Sequence, residues 1–455
     1  MRGEPIVVFG ACDRHNLGDL LFPHLARALL PHDEWVVAGL ASRDLRAVGG
    51  HRVHALAEVA ARFGAAPLRA LQLGGELLTC SAWQAAVMLL PPELASSTVA
   101  WLGPRPATRR PWLRRWLGCD DRAPYLLARG ALPQVRRLVV AGVGGVDLAR
   151  CPPAMRHEVL AKLRDADALS VRDHRTQAAL QALGVDATLA PDPAVRVATL
   201  CAQPIAHHAQ RGEPAALRDA FPDGYVAVQA DAGFGDDATL GTLAAQLHAV
   251  QSVSGLGVVL WRAGAAPWHD DLVLLQRLAA RLPARAVRVF ESLHLWDLCA
   301  LVAGAQAVCA SSLHARIVAL AHARPRVSLH APAEPGQARK LRAFVETWDA
   351  TAGAVVDASG AARALRAALA MPAAALRQAG VAAAAAWDAR WRAAWPDDPP
   401  VTPARATSPR QRGTGDRRDV QHEVVADRGE AARRRLADAR RGAGDESDPA
   451  AGGIA

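Results

Sequence analysis

The sequence predicts an α/β protein built from two Rossmann-like domains that face each other across a cleft. Short apolar runs of strand length alternate along the chain with longer segments of helical periodicity, which is typical of parallel sheets covered by helices. A polar stretch at residues 201–222 separates two series of such runs. We therefore expect an N-terminal domain over residues 1–200, a linker over 201–222, and a C-terminal domain over 223–360.

The first domain opens with a predicted strand at Ile6–Phe9, which runs into the polar loop 10–19 and a helix over 20–30. The loop has no Gly-x-Gly-x-x-Gly motif, which argues against a dinucleotide cofactor. Asn16 and Asp19 in this loop are candidates to bind sugar hydroxyls. A plain turn is the alternative.

The rest of the first domain continues the alternation of strand and helix. Strands are predicted at residues 35–40, 70–78, 137–145, 168–172 and 187–190, and helices at 56–63, 153–165 and 174–183.

Two positions in these strands suggest ligand contacts. Gly74 and Gly75 interrupt the run 70–78, and glycine lets a backbone approach a ligand or adopt positive φ. Arg172 ends its strand at the carboxyl edge, where a guanidinium can bind a carboxylate or phosphate in bidentate fashion. A tight turn and a surface Arg172–Asp173 pair are the respective alternatives.

The segment 101–116 interleaves three tryptophans with five arginines and three prolines. This composition suits contact with acidic lipid headgroups at a membrane surface. The alternative, which we favour, is a solvated loop whose tryptophans cover the core.

The second series centres on the stretch 308–329. Strands are predicted at 225–229, 257–261, 287–290, 307–310 and 327–329, and helices at 240–252, 270–282 and 293–303. Ser311 and Ser312 are natural helix N-caps, so His314 falls in the first turn of a helix that leaves the carboxyl end of a strand. Ligands bind at such ends in parallel sheets, and the helix N-terminus favours an anionic group. His314 can donate a proton near neutral pH, or it can simply hydrogen-bond a neighbour.

Composition narrows the class of protein. The 455 residues are 51% hydrophobic and 21% charged, with no apolar run of the ~20 residues that span a bilayer. No secretion signal is evident, and the seven cysteines form no Cys-x-x-Cys pair, so we expect a cytoplasmic protein without a disulfide framework or metal site. The net charge of +9 comes from arginine without a patterned basic helix, so we expect no nucleic-acid partner. The sequence does not fix the oligomeric state.

The C-terminal region divides in two. Residues 361–395 read as two alanine-rich helices, the second returning to pack on the first domain. Residues 396–455 contain no aromatic residue and are rich in Arg, Asp, Glu, Pro, Gly and Ala, which predicts a disordered tail.

Four motifs in a fixed order resemble the polysaccharide pyruvyl transferase family over roughly residues 6–350. They are Asn16-Leu-Gly-Asp19; the loop of Gly74 and Gly75; Ser170-Val-Arg-Asp173 with Pro191-Asp-Pro193; and Ser311-Ser-Leu-His314 with Arg324-Pro325. The resemblance implies a GT-B-like fold and transfer of a pyruvyl group from phosphoenolpyruvate to a sugar of an exopolysaccharide or cell-wall precursor, forming a pyruvate ketal and releasing phosphate. It implies no cofactor. A lipid-linked acceptor would place the chain at the inner face of the cytoplasmic membrane.

The resemblance also implies roles for individual residues. His314 matches the catalytic histidine, Arg172 an arginine that binds phosphoenolpyruvate, and Leu313 a residue beside the substrate. The family often has arginine where this chain has Ser312. Arg262, Arg316 or Lys340 could supply the second anion contact, and we rank Lys340 first. Glu76 stands where a third glycine is usual. The acceptor sugar would contact Asn16, Asp19, Gly74 and Gly75. A glycosyltransferase that uses a nucleotide sugar and a non-catalytic, degenerate member are the alternatives.

Overall fold

The computed structural model describes residues 4–31, 34–331, 335–350 and 355–395. The predicted disordered tail, residues 396–455, lies outside these ranges.

The first sheet has eight strands in the order β3-β4-β2-β1-β5-β6-β7-β8. All neighbouring pairs are parallel except the antiparallel pair at one edge, β3–β4. The strands are β1 (Ile6–Phe9), β2 (Trp35–Gly39), β3 (Arg43–Asp44), β4 (Arg52–Ala55), β5 (Leu68–Leu73), β6 (Val135–Val143), β7 (Ala168–Val171) and β8 (Thr188–Leu189).

The second sheet has six strands in the order β11-β10-β9-β12-β13-β14, all parallel. They are β9 (Tyr225–Gln229), β10 (Gly257–Leu260), β11 (Val287–Val289), β12 (Ala307–Ala310), β13 (Arg326–Leu329) and β14 (Val355–Val356).

Helices connect the strands and cover both sheets. They are α1 (Leu17–Leu29), α2 (Leu56–Phe63), α3 (Ala82–Met88), α4 (Pro92–Leu102), α5 (Pro106–Leu117), α6 (Pro153–Arg164), α7 (His174–Ala182), α8 (Val197–Leu200), α9 (Ala202–Ala209), α10 (Gly212–Ala220), α11 (Asp237–Ser254), α12 (Leu272–Ala279), α13 (Leu295–Gly304), α14 (Leu313–Ala321), α15 (Pro335–Trp348), α16 (Ala361–Leu369) and α17 (Ala373–Ala394).

The strands are apolar on both faces because both faces are covered. In β1, Ile6 and Val8 belong to one apolar cluster, whereas Val7 and Phe9 belong to another. The cluster that contains Ile6 also includes Ala227 of β9 and much of α13 and α14. One continuous apolar core therefore runs from the inner face of the first sheet to the inner face of the second. Its burial is the main favourable contribution to holding the two halves together.

Two segments expected to be irregular are helical, so that part of the sequence prediction was wrong. Residues 201–222 form α9 and α10, whose Ile205 and Leu217 are buried. Three prolines of these segments lie in first turns: Pro204 and Pro214 are third residues of α9 and α10, and Pro106 begins α5, whereas Pro111 lies inside α5. A proline in the first turn has no intrahelical hydrogen bond to lose.

Within residues 101–116 the tryptophans pack on an apolar cluster, as the favoured interpretation predicted, but they are carried by helices and not by a loop. Trp112 is buried in a small apolar cluster with α3 and α4, and Trp101 and Trp116 pack against that cluster. The exposed residues are four arginines, among them Arg110 and Arg115, together with three prolines and one alanine. Membrane contact through this segment stays a prediction, and it would depend on these arginines.

Helix α17 returns to the first sheet, as the sequence suggested. Arg137 of β6 donates a hydrogen bond to the carbonyl of Ala394 at 2.6 Å. The guanidiniums of Arg69 and Arg137 lie over the ring of Trp395, which follows the helix. Trp387 is buried in the central core.

Within the described ranges, no single helix has the length and apolar character needed to cross a membrane. One pair, Ala358–Leu369 with Ala373–Ala394, passes that test together although it is bent by 97°.

A cluster of aromatic rings joins α1 to α13 beside the central core. The ring of His24 in α1 lies 4.1 Å from that of His51 and 4.6 Å from that of Trp296 in α13. Burial lowers the pKa of His24 to about 4 and that of His51 to about 3. The Nε2 atom of His51 is buried without a hydrogen-bond partner. Both imidazoles are therefore neutral in the folded protein at neutral pH.

We expect these histidines to make the fold sensitive to acid. An unfolded histidine titrates near pH ~6.5, so between about pH 6.5 and 4 the unfolded chain binds protons that the folded chain does not. Stability should therefore fall as the pH falls through this window. In thermal unfolding measured across it, His51→Phe should show a shallower fall than the parent chain. The exposed His157, changed to Gln, is the control and should leave the slope unchanged. Equal slopes for His51→Phe and the parent would contradict the assignment.

Candidate active site

A cavity of about 370 Å³ lies between the carboxyl edges of the two sheets. Nearly all the candidate residues, from both halves of the chain, line this cavity. Those that line it are Asn16, Asp19, Gly75, Arg172, Ser312, Leu313, His314 and Lys340. Gly74 does not line it. A larger cavity, of about 650 Å³, lies beside β7, β8 and the end of α17 and contains none of the candidate residues.

The two halves are tied together next to the cavity by backbone hydrogen bonds. The N–H of Leu17 donates to the carbonyl of Ala263 at 2.8 Å, and the N–H of Ala265 donates to the carbonyl of His15 at 3.2 Å. Asn16 thereby forms an isolated antiparallel bridge with Gly264. The loop after β1 is thus fixed against the loop after β10.

His314 lies where the sequence placed it, in the first turn of α14, which follows β12. The Ser312 hydroxyl accepts a hydrogen bond from the N–H of Ala315 at 3.3 Å and so caps the helix. The Ser312 N–H donates to the side-chain oxygen of Gln229 at the end of β9, at 2.7 Å. These bonds fix the start of the helix, and with it the position of the imidazole.

The imidazole of His314 packs directly on α1 of the first half. A β-carbon built at Gly18 would lie 2.3 Å from Cε1 and Nδ1 of the ring, so only glycine fits there. The ring of Phe22, one turn further along α1, meets the imidazole edge to face at 5.4 Å. The glycine of the Asn16-Leu-Gly-Asp19 motif therefore makes room for the histidine.

Asp192, which stands in the motif Pro191-Asp-Pro193 but was not predicted to be a site residue, joins the histidine to the arginine. Its side chain is 0% exposed, and Oδ2 lies 2.9 Å from Nη1 of Arg172 and 3.4 Å from Nε2 of His314. Burial alone would raise the pKa of Asp192, but His314, Arg172 and the N–H of Ala194 hold it below its usual value. Asp192 is therefore a carboxylate at neutral pH and can compensate the charge of a protonated His314.

Arg172 lines the cavity, but its terminal nitrogens are already engaged. Nη1 donates to Asp192 and Nη2 to Glu76, and the side chain is 2% exposed. The bidentate contact to a substrate anion expected from the sequence is therefore taken by two protein carboxylates in this structure. Glu76 is 28% exposed and lines the cavity, so it can be displaced at less cost than the fully buried Asp192.

Of the three cations considered for the second anion contact, only Lys340 lines the cavity. Arg316 does not, because its guanidinium is buried against Asp349 at 2.7 Å and donates to the hydroxyl of Ser328. Arg262 also lies outside the lining. Lys340 is carried by α15, which Arg339 ties to Asp147 of the first half at 2.7 Å. The first-ranked candidate is thus the one that the fold brings to the cavity.

The expected acceptor residues have some of their polar groups in use. The carboxylate of Asp19 accepts from Arg14 at 2.9 Å. Asn16 caps α1 by accepting from the N–H of Gly18 at 3.1 Å. Gly74 and Gly75 both have positive φ, at 57° and 80°, which explains the two glycines by the turn itself.

Another carboxyl group that lines the cavity, Asp270, was also not anticipated. It accepts hydrogen bonds from the N–H of Ala263 at 2.5 Å and from the side-chain amide of Gln229 at 2.7 Å. Burial raises the pKa of Asp270 to about 7, although these bonds act to lower it. A carboxyl group with this pKa can accept or donate a proton at neutral pH. No local motif marks it, because its partners come from β9 and from the loop after β10.

One group of side chains in the described part of the chain has the composition of a metal site: His208, His294 and Asp297. None of them lines the cavity. His208 has both ring nitrogens in use, one against Asp297 at 2.6 Å and the other against Arg211 at 2.7 Å. Hydrogen bonding accounts for both nitrogens of His208, whereas Nδ1 of His294 is buried without a hydrogen-bond partner.

The family model for polysaccharide pyruvyl transferase matches residues 121–329. This range includes Arg172, Asp192, Ser312 and His314, so the resemblance read from the motifs is confirmed there. Lys340 and the loop of Asn16 lie outside it. No curated protein matches the chain significantly.

The likeness to one solved structure, at a TM-score of 0.50, confirms the GT-B-like fold. A UDP-N-acetylglucosamine 2-epimerase from Listeria monocytogenes, described as putative, aligns with a TM-score of 0.50 and 13% identity over 88% of this chain and 98% of its own. The S. aureus MnaA structure with UDP aligns at 0.48 and 11%, covering 86% and 95%. An epimerase from Methanocaldococcus jannaschii with UDP-GlcNAc and UDP aligns at 0.45 and 10%, covering 82% and 94%. At these identities the likeness concerns the fold alone.

The contact between Gly18 and His314 can be tested by stability. Gly18→Ala should destabilise the fold by about 1–3 kcal/mol, because the added methyl group overlaps the imidazole. The same change should be neutral or stabilising in a His314→Ala background, where alanine's helix preference of roughly 1 kcal/mol acts alone. Urea unfolding of the four chains measures the coupling.

The control for this cycle is Gly241→Ala in α11, where a β-carbon would meet nothing within 4 Å. It should stabilise both backgrounds equally. If Gly18→Ala has the same effect with and without His314, the two residues do not make the contact described.

Proposed function

We propose that this chain transfers a pyruvyl group from phosphoenolpyruvate to a sugar, forming a pyruvate ketal and releasing phosphate. The observation that carries the proposal is the arrangement of His314 and Arg172. They come from different halves of the chain, meet on the buried carboxylate of Asp192, and line one cavity. The match of residues 121–329 to the pyruvyl transferase model supports the same conclusion.

The cavity offers groups that suit a substrate with one carboxylate and one phosphate. The helices α14 and α15 both begin at its wall, through Leu313 and Gly336, and helix N-termini favour anions. Lys340 adds a positive charge. Arg172 becomes available when the substrate carboxylate takes the place of Glu76, which exchanges one carboxylate partner for another.

The proposed chemistry proceeds by proton transfer to carbon. His314 as the imidazolium gives its proton to C3 of phosphoenolpyruvate, which leaves an oxocarbenium-like centre at C2. A sugar hydroxyl forms a bond to C2 and passes its proton to a base at the cavity, for which Asp270 has a suitable pKa. The C2–O bond to phosphate then breaks with its electron pair going to phosphate, which takes up the proton held by the base and leaves a second oxocarbenium-like centre at C2. A second hydroxyl of the same sugar bonds to C2 and passes its proton to the neutral His314, which closes the ketal and restores the imidazolium. Groups placed in this way contribute ~10²–10⁴ in rate for each proton transfer.

Partners and location belong to this proposal as well. The donor would be phosphoenolpyruvate and the acceptor a glycan precursor, either free or linked to a lipid. A lipid-linked acceptor would place the enzyme at the inner face of the cytoplasmic membrane, with the arginines of residues 101–116 as the contact surface.

Ligand-induced stabilisation separates phosphoenolpyruvate from a sugar nucleotide as the donor. Phosphoenolpyruvate should raise the melting temperature, and Lys340→Ala should weaken its apparent affinity at least tenfold, because one cation is removed from the anion site. UDP-GlcNAc should have no such effect. The exposed Arg342→Ala, on the same helix, is the charge-matched control. Stabilisation by the sugar nucleotide alone would favour a glycosyltransferase.

Turnover separates an enzyme from a non-catalytic member. Phosphate release from phosphoenolpyruvate with a mixed pool of acceptor glycans should fall by ~10²–10⁴ in His314→Ala, while the stabilisation by phosphoenolpyruvate is retained. Loss of binding together with turnover would instead assign His314 to substrate binding. Absence of turnover in the parent chain under all acceptor conditions would support the non-catalytic alternative.

A change at Glu76 is expected to strengthen the binding of phosphoenolpyruvate, whereas the change at Lys340 weakens it. If its carboxylate occupies the position of the substrate carboxylate, Glu76→Gln should bind phosphoenolpyruvate more tightly than the parent chain, because a neutral amide is displaced from Arg172 more easily. Titration followed by calorimetry measures this affinity. Weaker binding by Glu76→Gln would show that Glu76 helps to hold the substrate or to order Arg172.

A further inference from the structure

A row of tryptophans leads away from the cavity across the outer helices of the first half. Trp268, which lines the cavity, meets Trp83 of α3 edge to face, with ring centroids 6.1 Å apart. Trp83 meets Trp112 of α5 in the same way at 6.1 Å, and Trp112 stacks on Trp116 at 5.7 Å. The row therefore begins beside the cavity with Trp268, from the second half of the chain, and continues over the helices of the first half.

Trp268 differs from the rest of the row in its exposure. Its side chain is 47% exposed, whereas Trp112 is buried and Trp83 and Trp116 are partly buried. Four large apolar residues in the described ranges are exposed, and Trp268 is the one aromatic residue among them. The guanidinium of Arg109 lies 5.2 Å from the ring centre of Trp83 and covers that ring. The open aromatic surface of the row is therefore that of Trp268, beside the cavity.

The backbone at Trp268 is held in a conformation that favours glycine. Residues 266–269 form a turn closed by a hydrogen bond from the N–H of His269 to the carbonyl of Ala266 at 3.0 Å. Pro267 occupies the second position and Trp268 the third, with φ of 67°, as in a type II turn, where glycine is preferred at that position. A bulky side chain there costs free energy, and strain of this kind is concentrated at ligand sites.

From these observations we infer that Trp268 is a sugar platform for an oligosaccharide acceptor. This inference rests on the proposed function and specifies its second substrate. The cavity of about 370 Å³ is near the lower limit of ligand pockets, so it holds the donor and the sugar that is modified. Any further sugars of the acceptor must leave through the mouth, past Trp268. The flat, apolar face of an indole binds the C–H face of a pyranose ring while the hydroxyls stay in water.

Binding of defined oligosaccharides tests this inference without requiring turnover. The probes are gluco-, galacto- and manno-oligosaccharides of one to four units, titrated by calorimetry in the presence of phosphoenolpyruvate. In at least one series, the affinity should rise with the length of the oligosaccharide. Trp268→Leu should lower the affinity for the tetramer by roughly three- to tenfold, which is the range expected for one aromatic contact. Trp268→Tyr should retain most of the effect. Val273→Ala, an exposed apolar change in α12 outside the cavity lining, should have none.

A purely structural role for Trp268 predicts a different result. Trp268→Gly should weaken binding of the tetramer while leaving the melting temperature equal to or above that of the parent, because glycine relieves the positive φ. A lower melting temperature with unchanged affinity would assign Trp268 to holding the two halves together and overturn the inference. If the parent chain binds phosphoenolpyruvate but its affinity for oligosaccharides does not depend on chain length in any series, the inference about Trp268 is overturned while the proposed function stands. If the parent chain does not bind phosphoenolpyruvate, that result counts against the proposed function instead.

Discussion

The buried carboxylate of Asp192 is the interaction on which the site depends. It accepts a hydrogen bond from Arg172, which follows β7 of the first sheet, and lies beside His314, in the first turn of α14 of the second half. A carboxylate with no exposed surface is stable only when cations or N–H donors surround it. The requirement to compensate this charge therefore brings together one residue from each half. Removing Arg172 would leave the charge with fewer partners, so stability and function are coupled at this position.

The surrounding structure keeps that geometry in place from several sides. Gly18 admits the imidazole against α1, and Gln229 fixes the N-terminus of α14 through the N–H of Ser312. On the other side, the indole of Trp348 in α15 donates to the carbonyl of Arg172 at 2.8 Å. Each of these contacts crosses between elements far apart in sequence. The apolar core shared by the two sheets supplies the stability that holds them in position.

The fold followed from the sequence where local pattern decides structure. Apolar runs of four to six residues predict strands because both faces of a parallel sheet are covered, and Tyr225–Gln229 and Ala307–Ala310 match to the residue. Local pattern failed at α9 and α10, where a polar sequence was taken for a linker, and at α5, where Pro106 in the first turn and Pro111 inside the helix resemble loop signals. His314 was predictable because its cap, helix and preceding strand are neighbours in the chain. Asp270 and the closeness of Gly18 to the imidazole were not, since their partners are brought close only by tertiary packing. Asp192 stands in the motif Pro191-Asp-Pro193, but its contacts with Arg172 and His314 also arise only from tertiary packing.

The two carboxylates that bind Arg172 differ in how deeply they are buried. Arg172 has two carboxylate partners, one buried and one partly exposed. This difference suggests how an anionic substrate could enter without disturbing the core. In the proposed function the exposed partner, Glu76, would give way, and the buried partner, Asp192, would remain to hold both the arginine and the histidine. The catalytic geometry would then exist before the substrate arrives, which reduces the reorganisation needed during the reaction.

The most direct test of this account is an experimental structure of the chain with phosphoenolpyruvate bound. The account predicts the substrate in the cavity between the two sheets. Its carboxylate should contact Arg172 in place of Glu76, its phosphate should lie near Lys340 and the start of α14, and C3 should lie within reach of the His314 ring while Asp192 stays in place. Phosphoenolpyruvate bound away from His314, or an unbroken contact between Arg172 and Glu76 with the substrate present, would contradict it.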